Sequence, residues 1–399
     1  MSKPIHDKTL IVGQSGGATA VINASLIGVV EGALAQGFSR ILGIRHGIEG
    51  LFQNEIVDLS NLSPEHRDRI RRTPSAALGT GRHKLLEKEL DLALAAFARH
   101  DVAAFVYIGG NDSADTAHRL HGAARAKGQE LAVISVPKTI DNDLPETDHC
   151  PGYGSIARFM ANAVRDATYD TIASPQLYPV KFIEVMGRDA GWVAASGVLG
   201  FGADEADLTP LLYLPERPPA STGVVLGEIE AHVKERGWAV AVVPETLHDA
   251  AGRHLSGSEP DHVDRFGHPY FPSTGTALTR LVREHLGLRA RDDRPGTFAR
   301  MAMALASPVD LDEAYRAGQA AATHAARGES DQMTTLDRVA TNPYQCDIGA
   351  VPLAAIANRV RLLPDEFIGD DGRSLTPAFR DYALPLLGPD PVPGYGRLM

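Results

Sequence analysis

The sequence predicts an α/β fold built from doubly wound, mostly parallel sheets. Short apolar runs rich in Val and Ile recur along the chain with almost no polar interruption, which is typical of strands buried on both faces. Each run ends near a Gly or Pro, and the order strand, turn, helix repeats at least five times. Ligands of such folds lie at the carboxyl ends of the strands, where these turns fall. The predicted strands are residues 9–12, 105–108, 131–136, 182–186 and 239–243.

Two segments between such runs are predicted helices, residues 113–127 and 221–236. Each begins with Ser, a preferred N-cap residue whose side-chain oxygen accepts a hydrogen bond from the first helical turn. Gly128 and Gly237 follow their last residues. Glycine commonly ends a helix because it adopts the left-handed conformation without steric cost, so both helices have marked boundaries.

The chain of 399 residues is long enough for two or three domains. Residues 170–179 contain two prolines and residues 209–219 contain four, which predicts crossings between lobes. We expect two Rossmann-like lobes, the first over residues 1–175 and the second over 176–325. A C-terminal segment, residues 326–399, is expected to pack back on the body.

Composition and charge exclude several classes of protein. Lys and Arg number 39 against 50 Asp and Glu, and this net charge of −11 would repel a phosphate-rich duplex unless one face gathered the basic residues. Cys150 and Cys346 are too few for a disulfide framework or a four-sulfur zinc site. We find no run of eighteen apolar residues and no apolar leader. We therefore expect a cytoplasmic enzyme that acts on small molecules and binds neither nucleic acid nor membranes.

The first candidate binding motif is the glycine-rich turn Gly13-Gln14-Ser15-Gly16-Gly17, which follows a predicted strand. Such a turn presents backbone N–H groups to an anion, and glycine lets the backbone approach a phosphate closely. The turn has neither the GxGxxG pattern nor the Lys of a Walker loop. On this motif alone, a tight turn without a ligand is an equally good interpretation.

Two further polar turns follow predicted strands, residues 109–113 (GGNDS) and 137–143 (PKTIDND). An Asx-turn with a helix cap would explain one Asp of the second turn, but not a Lys, a Thr and two carboxylates within seven positions. Phosphoryl transfer requires cations on the phosphoryl oxygens, a carboxylate near the attacking hydroxyl and acidic groups for Mg²⁺. The second turn contains all three kinds of group.

Together, these motifs resemble the phosphofructokinases. The segments SGG at 15–17, GGNDS, PKTIDND and Glu184-Val185-Met186-Gly187-Arg188 come in the order of that family, over about Leu10–Glu245 and, more loosely, to Gly318. Lys138 points to the pyrophosphate-dependent branch. The resemblance implies a phosphofructokinase-like fold and phosphorylation of fructose 6-phosphate at its 1-hydroxyl, a usually reversible step of glycolysis and gluconeogenesis.

The resemblance also implies a role for each matching residue. Asp141 is the base, since a sugar hydroxyl is a poor nucleophile until a carboxylate takes its proton, and Asp143 supports it. Arg188 steadies the charge moving onto the sugar. The other expected sugar contacts are Thr139, Met186, Gly187 and Glu245, and the expected donor contacts are Gly16, Gly17, Arg82 and Ser113.

The choice of donor rests on Asp112 and Lys138, where ATP-using relatives have Gly. The Asp side chain would occupy the space of the α-phosphate and repel it, and the ammonium would neutralise the pyrophosphate leaving group. We therefore expect pyrophosphate as donor. Mg²⁺ is the expected cofactor, with Asn111 and Asp112 as its ligands. Asn111 departs from the usual Asp, so Asp112 or water would hold more of the metal.

Four further positions depart from the family pattern or match it loosely. Arg291 and Arg300 are carried over as ligands of the sugar 6-phosphate, with Thr297 in place of the usual His. Pro179 stands where bacterial relatives supply an Arg to a neighbouring subunit, and Lys181 is a possible substitute. The resemblance suggests a homodimer or homotetramer and leaves allosteric control open.

Two alternatives to the pyrophosphate-dependent enzyme are an ATP-dependent phosphofructokinase and a regulatory subunit that binds phosphosugars without catalysis. Asn111 and Pro179 motivate the second, but Lys138, Asp141 and Arg188 together argue against it, because a sensor needs no base. Related sugar phosphates remain open as acceptors. Cys150 follows His149, but neighbouring side chains on an extended chain point in opposite directions, so we do not expect a nucleophilic cysteine.

Overall fold

The computed structural model describes residues 8–81, 83, 85–257, 259–260, 262–263 and 269–396. Contacts within the chain divide it into two units, and each unit is built from two stretches of sequence. The first unit comprises Met1–Tyr153 and Arg300–Arg361, and the second comprises Gly154–Ala299 and Leu362–Met399. The sequence predicted consecutive segments instead, because periodicity along a chain carries no sign of a segment that returns to an earlier unit.

A seven-stranded sheet forms the centre of the first unit. Its strands are β1 (Thr9–Gln14), β2 (Arg40–Ile44), β3 (Ile56–Asp58), β4 (Val102–Gly109), β5 (Ala132–Pro137), β12 (Gln332–Thr341) and β13 (Tyr344–Pro352). Their order across the sheet is β13-β12-β5-β4-β1-β2-β3. The strands from β12 to β2 pair in parallel, whereas β3 and β13 pair antiparallel at the two edges. The apolar runs are central strands buried on both faces, as predicted.

Helices cover both faces of this sheet. Gly28 and Gly318 bring two of them into close contact, since a Cβ at Gly28 would lie 2.0 Å from the carbonyl oxygen of Tyr315. The helices of this unit are α1 (Ile22–Ala35), α2 (Ile48–Phe52), α3 (Pro64–Arg71), α4 (Leu90–Arg99), α5 (Asn111–Ala126) and α11 (Pro308–Ala326), and α10 (Thr297–Met301) lies at the unit's boundary in sequence.

The second unit contains a four-stranded parallel sheet with the order β11 (Ala290–Asp293), β6 (Val180–Val185), β8 (Ala239–Pro244), β7 (Leu211–Leu212). A short antiparallel pair is formed by β9 (His262–Val263) and β10 (Pro269–Tyr270). The helices are α6 (Tyr153–Ala173), α7 (Trp192–Ser196), α8 (Thr222–Arg236), α9 (Thr274–Leu286) and α12 (Pro377–Ala383).

The predicted doubly wound α/β fold is confirmed. The helix predicted over 113–127 is α5, which begins two residues earlier, at Asn111. Ser221 caps α8 by accepting a hydrogen bond from the Val224 N–H, and Gly237 ends it in the left-handed conformation, with φ of 82°. Within the described part of the chain, no helix combines the length and apolarity needed to cross a bilayer.

Candidate active site

The glycine-rich turn after β1 is held from two sides in the first unit. The Ser15 N–H donates to the carbonyl oxygen of Ile108 at 2.9 Å, which ties the turn to β4. On the other side, the Gly16 N–H donates to the carbonyl oxygen of Gly81 at 3.3 Å, and the Thr80 hydroxyl donates to the Gly16 carbonyl at 2.6 Å. Gly16 has φ of 76°, a conformation that glycine adopts without strain. The turn therefore has a fixed shape.

Two cationic side chains lie against this turn. The side chain of Lys138 is buried, with 4% of the residue exposed, and its Nζ donates to the Gly17 carbonyl oxygen at 2.9 Å. The Arg300 guanidinium lies on the same turn, because a Cβ at Gly17 would be 2.5 Å from its Nη1. Two positive charges beside a glycine turn form a binding site suited to a polyanion.

Arg82, predicted as a donor ligand, lies outside the described residues. The preceding turn, Gly79–Gly81, lies beside the glycine-rich turn through the bonds to Gly16. Arg300, predicted as a ligand of the 6-phosphate, belongs to the first unit and lies at the glycine-rich turn, whereas Arg291 belongs to the second unit.

Helix α5 begins at the second polar turn. Asp112 is exposed in its first helical turn, and Ser113 is buried against Gly109. The Asn111 carboxamide binds a distant backbone segment: its Nδ2 donates to the carbonyl oxygens of Ile356 and Arg359, and its Oδ1 accepts from the Asn358 N–H at 2.7 Å. An Asp cannot donate these bonds, which accounts for Asn at this position.

The turn that carries Asp141 is fixed by backbone and side-chain bonds. The Thr139 N–H donates to the Pro151 carbonyl oxygen at 3.2 Å, and the Asp141 N–H donates to the Thr139 hydroxyl at 3.1 Å. Asn142 is fully buried with φ of 53°, and its Oδ1 accepts from the Cys150 N–H at 2.9 Å. These bonds hold the Asp141 backbone in one conformation while its side chain stays partly exposed.

Arg361 holds the same turn through hydrogen bonds to its backbone. Its Nη2 donates to the Asn142 carbonyl oxygen at 2.8 Å, and its backbone N–H donates to the Asp143 carbonyl oxygen at 2.7 Å. Its Nη1 also donates to the carbonyl oxygens of Thr147 and Asp148. Sequence reasoning missed Arg361, because it follows the turn by more than two hundred residues and lies in no motif.

A buried ionic cluster lies next in sequence to Pro151 and Gly152, which pair with Thr139. The Nδ1 of His149 lies 2.8 Å from Asp148 Oδ2, and its Nε2 lies 2.7 Å from Glu313 Oε2. Burial alone would favour the neutral imidazole, but the hydrogen bonds to both carboxylates outweigh it and raise the pKa of His149 to about 9. The ring is therefore a buried imidazolium at neutral pH. Burial raises the pKa of the neighbouring Cys150 thiol to about 12, which opposes a nucleophilic role.

In the second unit, the segment after β6 makes a strained turn. Gly187 has φ of 130° and Arg188 has φ of 48°, a left-handed conformation that is uncommon for Arg. The Glu245 carboxyl group lies near this turn, and the backbone N–H groups of Gly187 and Arg188 favour its ionised form. Burial raises the pKa of Glu245, and the charge of Arg188 opposes that rise. The turn bearing Met186, Gly187 and Arg188 thus closes on Glu245, and the structure brings these four predicted sugar ligands together.

A second carboxylate, which the sequence analysis missed, anchors the end of this turn. Oε1 of Glu216 accepts from the Gly191 N–H and from the Leu363 N–H, both at 2.8 Å. Its Oε2 is buried without a hydrogen-bond partner, and burial raises the pKa of this carboxyl group. The prolines around Glu216 gave the only sequence signal, and they indicated a crossing between lobes, not a site.

Arg291 and Lys181, the two other basic residues that the sequence analysis named in the second unit, both have partners. The Arg291 guanidinium stacks on Tyr178 at 3.5 Å from the ring centroid. Lys181 forms ion pairs with Asp170 at 2.6 Å and Asp293 at 3.2 Å. Thr297 begins α10. Among the described residues, no cluster of three or more His, Cys, Asp or Glu side chains has a geometry that could hold a metal ion.

Comparisons with known proteins agree with this geometry. A family model described as Phosphofructokinase matches residues 9–325. The chain is 38% identical to the pyrophosphate–fructose 6-phosphate 1-phosphotransferase of Xanthomonas campestris pv. campestris, over 97% of this chain and 93% of the relative. It is 36% identical to the enzyme of the same name from Halomonas elongata, over 96% and 92%. The solved pyrophosphate-dependent phosphofructokinase of Nitrosospira multiformis matches with a TM-score of 0.86 at 33% identity, covering 98% of this chain and 94% of that one.

Proposed function

Because the chain belongs to the phosphofructokinase family, we propose that it phosphorylates fructose 6-phosphate with pyrophosphate. The 1-hydroxyl oxygen of the sugar bonds to one phosphorus of pyrophosphate, the bridging P–O bond breaks, and phosphate leaves. The hydroxyl proton passes to the Asp141 carboxylate. The products are fructose 1,6-bisphosphate and phosphate. The step should be reversible, because the pyrophosphate bond that breaks and the phosphate ester that forms are closer in free energy than with ATP as donor.

The observation that carries the choice of donor is the position of Lys138. Its ammonium lies at the Gly17 carbonyl, and a Cβ at Gly16 would be 3.1 Å from its Nζ. A buried ammonium at this distance from the glycine turn stabilises the negative charge that gathers on the departing phosphate. Asp112 places a carboxylate at the start of α5, which repels the α-phosphate of a nucleotide. We therefore favour pyrophosphate over ATP.

The fixed turn supports Asp141 as the general base. A base must reach the proton it abstracts with little rearrangement, and the bonds around Thr139 and Asn142 remove backbone freedom at this position. Asp143 and Thr139 share this turn and complete its polar groups. In the second unit, Glu245 lies beside the strained turn, which would present Met186, Gly187 and Arg188 to the sugar.

We assign the remaining ligands in accordance with the family resemblance. Gly16, Gly17, Arg82 and Ser113 contact the donor, and Arg291 and Arg300 contact the 6-phosphate of the sugar. The first unit thus carries the donor-binding groups together with Thr139, Asp141 and Arg300, and the second carries the sugar turn and Arg291. The guanidinium fork suits a pair of phosphoryl oxygens.

The donor set also suits Mg²⁺. This ion keeps several waters and is usually held by one or two carboxylates together with substrate phosphates. Asp112 offers an exposed carboxylate in the first turn of α5, and the Asn111 Oδ1 is a neutral oxygen beside it. When bound, Mg²⁺ would neutralise charge on the phosphoryl oxygens. Because the Asn111 amide already binds the segment around Asn358, Asp112 is the stronger candidate ligand.

We further propose a cytoplasmic homodimer or homotetramer. Sedimentation equilibrium of the purified protein tests the assembly. A monomer that is fully active would contradict it.

The decisive experiment is a matrix of donors and acceptors assayed with purified protein, with and without Mg²⁺. We expect activity with pyrophosphate and fructose 6-phosphate that depends on Mg²⁺, and little activity with ATP. A clear preference for ATP would refute the donor assignment. Binding of fructose 6-phosphate by an inactive wild type would instead identify a regulatory subunit. Sedoheptulose 7-phosphate as the better acceptor would correct the substrate alone.

A further inference from the structure

A buried pair of amides, Gln14 and Asn23, flanks Ser15-Gly16-Gly17 of the glycine-rich turn in the first unit. Both residues are 0% exposed. Gln14 is the last residue of β1, and Asn23 is in the first turn of α1. The Gln14 Nε2 donates to the Asn23 Oδ1 at 3.0 Å and to the Ile22 carbonyl oxygen at 3.2 Å. The pair therefore joins the strand and the helix on either side of the turn.

The same two amides hold a loop that comes more than fifty residues later. The Asn23 Nδ2 donates to the carbonyl oxygens of Thr73 at 2.8 Å and Ser75 at 2.7 Å, and its Oδ1 accepts from the Ala77 N–H at 2.8 Å. The Gln14 Oε1 accepts from the Leu78 N–H at 2.9 Å. With the bond from Gln14, the Asn23 carboxamide uses both of its donor hydrogens and both of its acceptor positions.

This loop has a conformation that it would not hold by itself. Ser75 has φ of 67°, in the left-handed region where a residue other than glycine is strained. Such strain persists only where surrounding contacts overdetermine the backbone. The bonds from Asn23 to the Ser75 carbonyl and to its neighbours supply that constraint.

The loop leads directly into the turn that touches the donor site. Gly81 accepts from the Gly16 N–H, and Thr80 donates to the Gly16 carbonyl oxygen. We propose that Gln14 and Asn23 are positioning residues for pyrophosphate: one amide pair fixes both the glycine-rich turn and the segment 73–81 beside it, and so sets the affinity for the donor. This inference rests on the proposed function, because it takes pyrophosphate as the ligand of these turns.

The first test is Asn23→Asp, which keeps the size of the side chain. A carboxylate cannot donate to the Thr73 and Ser75 carbonyls and repels them instead. We expect the KM for pyrophosphate, and its Kd measured by calorimetry, to rise at least about tenfold, because two buried hydrogen bonds are lost and either alone could cause a change of about that size. The KM for fructose 6-phosphate should stay within about threefold of the wild-type value. A general loss of structure would instead raise the KM of both substrates.

The second test leaves the buried core intact. Ser75 is half-buried on the loop. Ser75→Val places a β-branched residue at positive φ, which is unfavourable and should change the loop conformation without altering Gln14 or Asn23. The matched control is Asp101→Val at φ of 53°, in the exposed turn between α4 and β4. Both variants strain the backbone of the first unit, but only Ser75→Val should weaken pyrophosphate binding. If Asn23→Asp fails to fold, this pair decides.

Two results would overturn the inference alone. One is that the wild type binds pyrophosphate and a folded Asn23→Asp or Ser75→Val variant binds it with equal affinity. The other is an equal rise in the KM of both substrates, or the same loss in Asp101→Val, which would show a general effect of stability. A wild type that does not bind pyrophosphate would refute the proposed donor first, and the inference with it.

Discussion

The Nζ of Lys138 donates a 2.9 Å hydrogen bond to the carbonyl oxygen of Gly17, and the lysine side chain is buried. A buried ammonium is costly unless an opposite charge or several acceptors compensate it. Lys138 lies beside the glycine-rich turn, and the Arg300 guanidinium is nearby. Together they place positive charge where we propose that an anion binds. The relationship therefore links the sequence signal for pyrophosphate to a physical feature of the fold.

Replacing Lys138 by Met should abolish most activity with pyrophosphate. Met keeps an unbranched chain of similar length and removes the charge, so the departing phosphate loses the stabilising ammonium. We expect kcat/KM for pyrophosphate to fall at least about a hundredfold, as when one preorganised donor to developing charge is removed. Lys127→Met, at an exposed position paired with Asp91, is the control, and steady-state kinetics is the measurement. Full activity of Lys138→Met would contradict the donor assignment.

Asp141→Asn should separate catalysis from binding. The amide preserves the shape of the side chain but cannot accept a proton, so kcat should fall at least about a hundredfold. Calorimetric binding of fructose 6-phosphate should stay near wild type. Asp91→Asn on α4 serves as the control. A loss confined to KM would make Asp141 a binding residue instead.

Gly17→Ala tests whether the Arg300 position matters for activity. The new Cβ would lie 2.5 Å from Arg300 Nη1, so the flexible guanidinium must move while the backbone, which is not left-handed here, tolerates Ala. We expect a melting temperature close to wild type and kcat/KM at least about tenfold lower. The control is Gly122→Ala in α5, where a Cβ meets nothing within 4 Å. This variant should retain activity, and its free energy of unfolding should increase by roughly 0.5–1 kcal/mol. If Gly17→Ala had the same kinetics as the wild type, the position of Arg300 would have no role in the reaction.

His149 should make the stability of the protein fall at alkaline pH. Its pKa in the folded protein is about 9, above the ordinary value of 6.5, so its contribution is fully present below about pH 6.5 and is lost as the pH rises through about 9. The charged groups that face it are Asp148 and Glu313, and the Tyr344 hydroxyl also approaches the ring. The linked free energy of unfolding is on the order of 3 kcal/mol.

Urea unfolding of the wild type at pH 6, 8 and 10 measures this slope, and His149→Gln provides the comparison. The variant should be less stable at pH 6 and should lose less stability between pH 8 and 10. Parallel pH profiles of the two proteins would show that His149 is not the titrating group.

Much of the first unit could be predicted because its signals are local. The strand at 105–108 and the turn at 109–113 are adjacent in sequence, and burial of an unbroken apolar run requires no distant information. The turn at 137–143 was likewise recognisable as a candidate site, because Lys138, Asp141 and Asp143 fall within seven positions. The same locality explains the successful prediction of the α8 cap at Ser221.

The partners of these turns could not be predicted, because they come from far along the chain. Asn111 departs from the family pattern, and only the structure shows that it donates to carbonyls of residues 356 and 359. Arg361 and Glu216 lie in no motif, yet each fastens a turn of the candidate site through backbone bonds. A side chain that binds backbone groups leaves no pattern at the sequence it binds, since any residue supplies the N–H or the carbonyl.

Glu216 should affect the sugar and not the donor. Its Oε1 accepts the N–H groups of Gly191 and Leu363, so Glu216→Ala leaves two buried donors without an acceptor and releases the end of the turn that carries Arg188. We expect the KM for fructose 6-phosphate to rise at least about tenfold, while the KM for pyrophosphate changes little. Glu216→Gln keeps an acceptor oxygen and should recover most of the affinity, and Glu230→Ala, an exposed position on α8 that pairs with Lys234, should change neither constant. Equal increases in both KM values, or no recovery in Glu216→Gln, would show that Glu216 stabilises the second unit as a whole and does not position its sugar turn.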